Sequence, residues 1–391
     1  MLSEKSRPII EATAPVVAER IPYITPEFYK GMFSARPDLL DGMFSRSNQI
    51  TGEQPKALAG SIVAFATWLL QHPNSYPESV LSRIAHKHAS LGLQEDEYPT
   101  VYEHLFNAIA ADLGDAATPE IVEAWTEVYW LMAHALIAME KGLYAGTAND
   151  RPFAPWRVTS KEITGGDVAV LSFEPADGTP VTDAAPGQYV SILMPVPDGI
   201  RQPRQFTLIP SPVNTRRIAV KLDPNGEVTP LIHRDLNVGD VVDLSNPYGD
   251  MVLRETRVPL VLASAGIGVT PMLALLEALR ERGSEREVIV LHADRSPATW
   301  PLADEMKALV AGLPNARIET WFEESAEGDH QGYMDLSEVQ IPADANVVMC
   351  GPLPFLKAVR EQVVASGHPA EKVFYEIFGP DLWLLQGTDE S

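Results

Sequence analysis

Along residues 1–145, apolar side chains recur every three or four positions, as in Leu58, Ile62, Phe65 and Leu69 and again in Ile121, Trp125, Val128, Met132, Leu136, Met139 and Leu143. That interval lines one face of a helix. Gly52, Pro73, Pro77, Gly92, Pro99 and the pair Thr118-Pro119 punctuate the pattern, so the first region is expected to be all-helical. After the proline-bearing stretch 149–155 the period changes. Short alternating or β-branched runs follow at 156–163, 168–173, 188–194, 205–209, 217–222 and 241–244, separated by Gly, Pro and Asn, which predicts a β-barrel or sandwich.

From residue 257 onward apolar strands alternate with helical patterns: 260–264, 271–279, 288–292, 302–310, 317–322, 345–350 and 353–364. This is the signature of a parallel α/β sheet. The expected organisation is therefore multidomain: an all-α domain at 1–147, an all-β barrel at 153–256 and an α/β parallel-sheet domain at 257–391. No internal repeat or low-complexity tract interrupts it.

Composition narrows the classes. Apolar residues make up 45% and charged residues 21% of the 391, enough for packed cores. A net charge of −23 opposes binding to nucleic acid or to an anionic membrane surface, so any phosphate-bearing ligand must be held by a few local cations and amides. A single cysteine, Cys350, rules out an internal disulfide framework and fits a reducing, cytoplasmic setting. Glu4, Lys5 and Arg7 leave no apolar signal-peptide core. The uncharged run 258–276 is broken by Pro259, Gly266, Gly268 and Pro271, which suits a strand, a glycine turn and a helix start better than a membrane span.

On the helix expected at 79–91, Leu81, Ile84, Ala85 and His88 share one face. His88 is then either a core histidine satisfied by one hydrogen bond or a metal ligand, and ligation requires an acceptor for its other ring nitrogen. Glu140 supplies one, because it lies in the apolar stripe of Ala133, Leu136, Ile137, Leu143 and Tyr144, where an unpaired carboxylate is costly.

The segments Phe28-Tyr-Lys-Gly-Met-Phe33, Phe44-Ser-Arg-Ser-Asn-Gln49, Gly52-Glu-Gln-Pro-Lys-Ala-Leu58 and Ile84-Ala-His-Lys-His88 resemble, in order and spacing, the globin domain of the flavohaemoglobins. The resemblance implies a haem b whose iron is held by His88. It implies Tyr29 and Gln54 as a distal polar pair, Leu58 as an apolar gate and Phe44 as the aromatic packing on the porphyrin. It further implies that Tyr98 joins His88 and Glu140 in one hydrogen-bonded group, and that Lys87 pairs with a propionate. Read alone, Tyr29 is an ordinary half-buried tyrosine on a helix expected from about Pro26 to Phe33, and Lys87 an exposed helix lysine.

Arg204-Gln205-Phe206-Thr207 resembles the flavin signature of ferredoxin-reductase-like proteins, with Phe206 where a tyrosine is commoner. The resemblance implies that the arginine binds the FAD pyrophosphate, the aromatic packs on the ring and the hydroxyl reaches it. Pro186-Gly-Gln-Tyr189 and Gly226-Glu-Val228-Thr229 match two further FAD-contacting pieces. The loop Ala265-Gly266-Ile267-Gly268-Val269-Thr270-Pro271 follows a strand and opens a helix, as a dinucleotide phosphate loop does, with Thr270 placed to donate at the helix start. Cys350-Gly351-Pro352 matches the family position near the nicotinamide, although a lone cysteine there equally suits a small buried hydrophobe. Tyr375-Glu376-Ile-Phe378-Gly379-Pro380 resembles the element whose aromatic, Phe378, covers the flavin and whose Glu376 is linked to electron transfer.

The implied function is nitric oxide dioxygenase: NAD(P)H reduces FAD, FAD reduces haem, and nitric oxide with O2 becomes nitrate. The implied protein is a cytoplasmic monomer with O2 and nitric oxide as small-molecule substrates, no nucleic-acid partner and no stable membrane insertion. Two rivals share these features, a ferric or peroxide reductase and a gas sensor; no signalling domain is left over for the second. Asp294-Arg-Ser296 offers one acidic and one basic group near the expected adenosine ribose and leaves NADH against NADPH open.

Overall fold

The computed structural model describes residues 1–46 and 52–379, without the side chains of Glu53, Gln54 and Ala59. The chain divides into two compact units, one of Met1–Pro152, Pro195–Arg204 and Gly379, the other of Phe153–Met194 and Gln205–Phe378.

The first unit is built on α1 (Arg7–Ala35), α2 (Glu53–Gln71), α3 (Glu78–Leu91), α4 (Tyr98–Leu113) and α5 (Pro119–Ala145). Helix α1 packs on α2 and α4, and α3 packs on α5. The helix expected from Pro26 instead begins at Arg7 and runs unbroken through Pro15, Pro22 and Pro26. All three prolines sit on the exposed face, as do Glu11, Ala18 and Pro22, whose carbonyls lose their helical donors, so water can satisfy them. Each interior proline costs about 3 kcal/mol. Burial of Ile10, Val17, Ile21, Ile24, Phe28 and Met32 on the opposite face, at about 1.5–3 kcal/mol each, offsets that cost. Elsewhere the punctuation reads as expected: Gly92 ends α3 at φ +78°, and the Thr118 hydroxyl accepts from the Ile121 amide at the start of α5.

An antiparallel sheet follows, made of β1 (Phe153–Thr164), β2 (Val168–Pro175), β3 (Tyr189–Pro195), β4 (Arg201–Thr207), β5 (Arg216–Lys221) and β6 (Val241–Ser245), in the order β4-β3-β6-β1-β2-β5. Beyond the end of β4, Leu208 bridges to Ile218 of β5, which joins the two edges and closes the barrel. Its interior holds Val158, Leu171, Phe173, Ile192, Ile218 and Leu244, with Ile232 of the short helix α6 (Thr229–Arg234). Lys161 donates to the carbonyls of Ile232, His233 and Leu236, at 2.9, 2.6 and 2.7 Å, and so caps that helix.

The parallel sheet comprises β7 (Leu260–Ala265), β8 (Val288–Asp294), β9 (Ala316–Phe322), β10 (His330–Gln331), β11 (Asn346–Cys350) and β12 (Val373–Glu376), ordered β10-β9-β8-β7-β11-β12. Helices α7 (Val269–Glu281), α8 (Ala303–Ala311) and α9 (Leu353–Ala365) connect its strands. The strand order reverses between β7 and β11, and in an open sheet of this kind the crevice at the carboxyl ends of those two strands takes the ligand.

Gly187, at φ +105°, turns the chain into β3 so close to its neighbour that a Cβ would lie 2.1 Å from the Met251 carbonyl oxygen. Gly187→Ala is therefore expected to destabilise the protein by at least about 1–3 kcal/mol. An unchanged midpoint in urea denaturation would contradict this packing.

Candidate functional site

The buried carboxylate of Glu140 lies on α5, whose inward stripe also holds Ala133, Leu136 and Ile137. It is 2% exposed, and its Oε1 accepts the Tyr98 hydroxyl at 2.6 Å and lies 2.7 Å from His88 Nδ1. Tyr98 Oη is also 3.2 Å from that nitrogen. A carboxylate oxygen accepts, so in this contact His88 Nδ1 donates. Among the described residues no hydrogen bond reaches His88 Nε2, and the side chain is 31% exposed. One ring nitrogen fixed by a carboxylate and the other open is the donor arrangement of a ligating histidine. Among the described residues no three His, Cys, Asp or Glu side chains form a metal-binding group.

Burial, then the charge and hydrogen bond of Glu140, push the Tyr98 hydroxyl well above its ordinary value of 10.0, which keeps it a donor. Tyr129, one helical turn beyond Trp125, donates to the Tyr98 carbonyl at 2.7 Å and so steadies it. The sequence reading did not single out Tyr129; its signal was a hydroxyl within the apolar stripe of α5.

A second cluster gathers Tyr29, 7% exposed, with Phe28, Phe33, Phe44 and Leu58. The Tyr29 ring centroid lies 4.6 Å from Phe28, 5.7 Å from Phe33 and 6.0 Å from Phe44. Ile62, Phe106 and Tyr129 pack against both this cluster and the one containing Tyr98. Gln54 lies in the first turn of α2 and its side chain is outside the described residues, as is Pro380. Lys87, beside His88 on α3, is half-buried.

The loop bearing Phe44 is held by residues that no local pattern marks out. Gln202 is fully buried; its amide donates to the Leu40 carbonyl at 3.1 Å, and its Oε1 accepts from the Arg46 amide at 2.9 Å. Arg201 grips Asp41 through two hydrogen bonds of 3.1 and 3.0 Å and holds that carboxyl below its ordinary range. Arg46 pairs with Asp198. Such pairings depend on chain crossings that local pattern does not encode.

Around the barrel, Arg204 is half-buried and donates to the Pro203 carbonyl at 2.7 Å. Gln205 is committed to the Ser191 hydroxyl at 2.8 Å. Phe206 packs against the barrel core, and Thr207 is 4% exposed. Tyr189 exchanges backbone hydrogen bonds with Tyr248, and a Cβ on Gly249 would lie 3.1 Å from its ring, a tight contact. The Thr229 hydroxyl accepts from the Asp223 amide at 2.9 Å, which shapes the turn through Gly226, and Val228 points into the core at 1% exposure.

In the parallel sheet, a Cβ on Gly268 would meet the Cys350 carbonyl oxygen at 2.2 Å, so only glycine lets the loop lie against the Cys350-Gly351 turn. Gly266 adopts φ +53°, and Lys221 Nζ lies 3.9 Å from where its Cβ would be. Lys221, ending an alternating strand, is a cation beside a phosphate-type loop that sequence reasoning missed. Ile267 packs partly buried on the sheet core, whereas Val269 and Pro271 face it. Thr270 departs from expectation: it is 2% exposed and its hydroxyl donates back to the Ile267 carbonyl at 3.1 Å, because an apolar neighbourhood forces it to find a partner within the turn. Cys350 is fully buried, and burial, followed by the nearby Glu376 charge, pushes its thiol up, which disfavours a reactive thiolate. Glu376, 8% exposed, is its register partner on β12. Pro352 precedes α9; Phe378 is 46% exposed, and Gly379 follows at φ +138°. Among the described residues no helix is long and apolar enough to cross a membrane.

Comparison with known proteins places three family models in succession: globin over residues 26–136, oxidoreductase FAD-binding domain over 155–253 and oxidoreductase NAD-binding domain over 262–361. A Chromobacterium violaceum protein named flavohemoprotein is 38% identical, covering 97% of this chain and 98% of that protein. The Rhizobium meliloti flavohemoprotein is 37% identical over 98% of this chain and 100% of its own length. Among solved structures, the flavohemoglobin of Malassezia yamatoensis, with bound FAD and heme, is 54% identical with a TM-score of 0.95, covering 97% of this chain and 100% of that one. The flavohem-like FAD/NAD-binding domain of a Vibrio cholerae nitric oxide dioxygenase is 34% identical with a TM-score of 0.55, covering 59% of this chain and 100% of that one.

The Tyr98 hydroxyl titrates higher in the folded chain than in the unfolded one, so its stabilisation is whole below pH 10.0 and declines as pH rises past that value. Tyr98→Phe is expected to cost about 1–3 kcal/mol at neutral pH and progressively less in alkali. Urea titrations of both proteins at neutral and alkaline pH check this; a gap that widens with pH refutes it.

Proposed function

Since this chain belongs to the flavohaemoglobin family, we propose that it is a nitric oxide dioxygenase, an oxidoreductase that draws electrons from NAD(P)H and converts nitric oxide and O2 to nitrate. The observation that carries this reading is the His88 imidazole, tied at Nδ1 to a buried carboxylate 2.7 Å away and open at Nε2. The reading divides the chain into a haem domain at 1–147, an FAD domain at 153–256 and a nucleotide domain at 257–391, a division supported by the all-helical start, the closed barrel and the parallel sheet.

When bound, FAD accepts a hydride and releases electrons singly, and haem iron brings O2 and nitric oxide together. His88 holds the iron through Nε2. Glu140, accepting the Nδ1 hydrogen, makes the imidazole a stronger electron donor, which favours O2 activation over storage. Tyr98 donates to the same carboxylate and keeps it oriented. Tyr29 and Gln54 offer hydrogen-bond donors to substrate oxygens that gain negative charge, while Phe44 and Leu58 keep the pocket apolar. Lys87 neutralises a propionate.

Arg204 takes the flavin pyrophosphate, Phe206 lies against the ring, and Thr207 offers it a hydroxyl. The loop Gly266–Gly268 and Lys221 receive the dinucleotide phosphates. Cys350, Gly351 and Pro352 would border a bound nicotinamide, and Phe378 would cover a bound flavin. A cytosolic monomer fits a chain whose single cysteine is buried and unpaired.

The test is nitric oxide consumption by the haem- and FAD-loaded protein in aerated buffer, with nitrate counted against NAD(P)H oxidised. A hydride delivers two electrons and each nitrate requires one, so two nitrates per NAD(P)H are expected; slow loss despite prompt haem reduction would argue for a reductase or sensor. Glu140→Ala is expected to slow turnover about 10–100-fold while haem stays bound, as read from its absorption spectrum. Equal turnover would sink the role given to Glu140.

A further inference from the structure

The carboxyl end of β8 carries Asp294-Arg295-Ser296, one strand away from the crevice between β7 and β11. In sheets of this winding the residues after the second strand meet the adenosine ribose: an acidic side chain bonds the 2′-hydroxyl, whereas a basic one takes a 2′-phosphate. Sequence alone sets the two against each other here. The tertiary structure separates them.

Asp294 is turned inward and is 7% exposed. Its Oδ1 accepts hydrogen bonds from the Arg295 amide and the Thr299 hydroxyl, both at 2.7 Å. Its Oδ2 is buried 3.8 Å from Nε2 of His292. His292 is itself fully buried, bonded through Nδ1 to the Ser264 hydroxyl at 2.9 Å and stacked on Trp300 with centroids 4.7 Å apart. Presenting the Asp294 carboxylate to a ribose would break both bonds to Oδ1 and open the turn they close, in which the Ser296 amide also donates to Thr299 Oγ1 at 3.1 Å.

Arg295 is exposed, and among the described residues its side chain makes no hydrogen bond or ion pair. On a chain with a net charge of −23 a phosphate is repelled unless a local cation receives it. Guanidinium geometry matches phosphate oxygens two at a time.

We propose that this end of β8 selects NADPH over NADH, with Arg295 binding the 2′-phosphate and Asp294 withdrawn as an internal brace of the turn. The proposal rests on the reading that the chain takes electrons from a nicotinamide dinucleotide, and it names which one.

The test is equilibrium titration of the haem- and FAD-loaded full chain with 2′,5′-ADP and with 5′-AMP, which differ only in the 2′-phosphate. The first is expected to bind about tenfold more tightly, an advantage that shrinks with added salt. Arg295→Gln should bring the ratio close to one, and Arg295→Lys should keep part of it. Equal affinities in the unaltered protein, or an advantage that survives Arg295→Gln, overturn the proposal. Stopped-flow bleaching of the flavin, run alongside, separates the two levels. Bleaching by NADH at least as fast as by NADPH overturns the selectivity alone; no bleaching by either nucleotide removes the underlying reading with it.

Discussion

A carboxylate that is 2% exposed in a helical core is tolerable only when it is hydrogen-bonded, and Glu140 meets that condition through Oε1, which both His88 and Tyr98 reach. The three side chains come from three different helices, α5, α3 and α4, so the requirement to satisfy one buried charge fixes how those helices meet. Removing either donor would leave the charge short of partners in a low-dielectric setting. The same contact sets the tautomer of His88 and leaves the hydrogen bond at Nδ1 rather than at Nε2. Several features here depend on a single interaction: the contact that keeps the carboxylate tolerable also orients the imidazole.

Backbone proximity plays the corresponding part in the parallel sheet. Gly268 lies where any side chain would strike the Cys350 carbonyl, and this close approach puts the loop after β7 against the turn after β11 at the point where the strand order reverses. The flanking side chains then turn into the core: Val269 is fully buried, and Thr270 satisfies its hydroxyl within the turn. Lys221 Nζ lies beside the same loop, 3.9 Å from where a Cβ on Gly266 would be.

Much of this was legible because it is periodic. The three-to-four spacing of Leu58 through Leu69 and of Ile121 through Leu143 found α2 and α5, and the change to alternation beyond residue 155 found the barrel. The start of α1 was not legible, since Pro15, Pro22 and Pro26 each argue locally against a helix and only packing on α2 and α4 outweighs them. Nor were Gln202, Asp41 and Arg201, whose bonds join positions some 160 residues apart.

What the sequence by itself determined is the class and order of the elements, together with the residue types that chemistry demands at short spacing: a histidine and a carboxylate on apolar helix faces, a glycine loop between strand and helix. These are properties of neighbouring residues, and local periodicity reports them. What only the tertiary structure decided is which of those groups are engaged and which are available. Asp294 and Arg295 are adjacent in the chain and equally polar, yet one is bound inward by Thr299 and the other is left to solvent. Burial and partnership are set by contacts between distant segments, and no local pattern contains them.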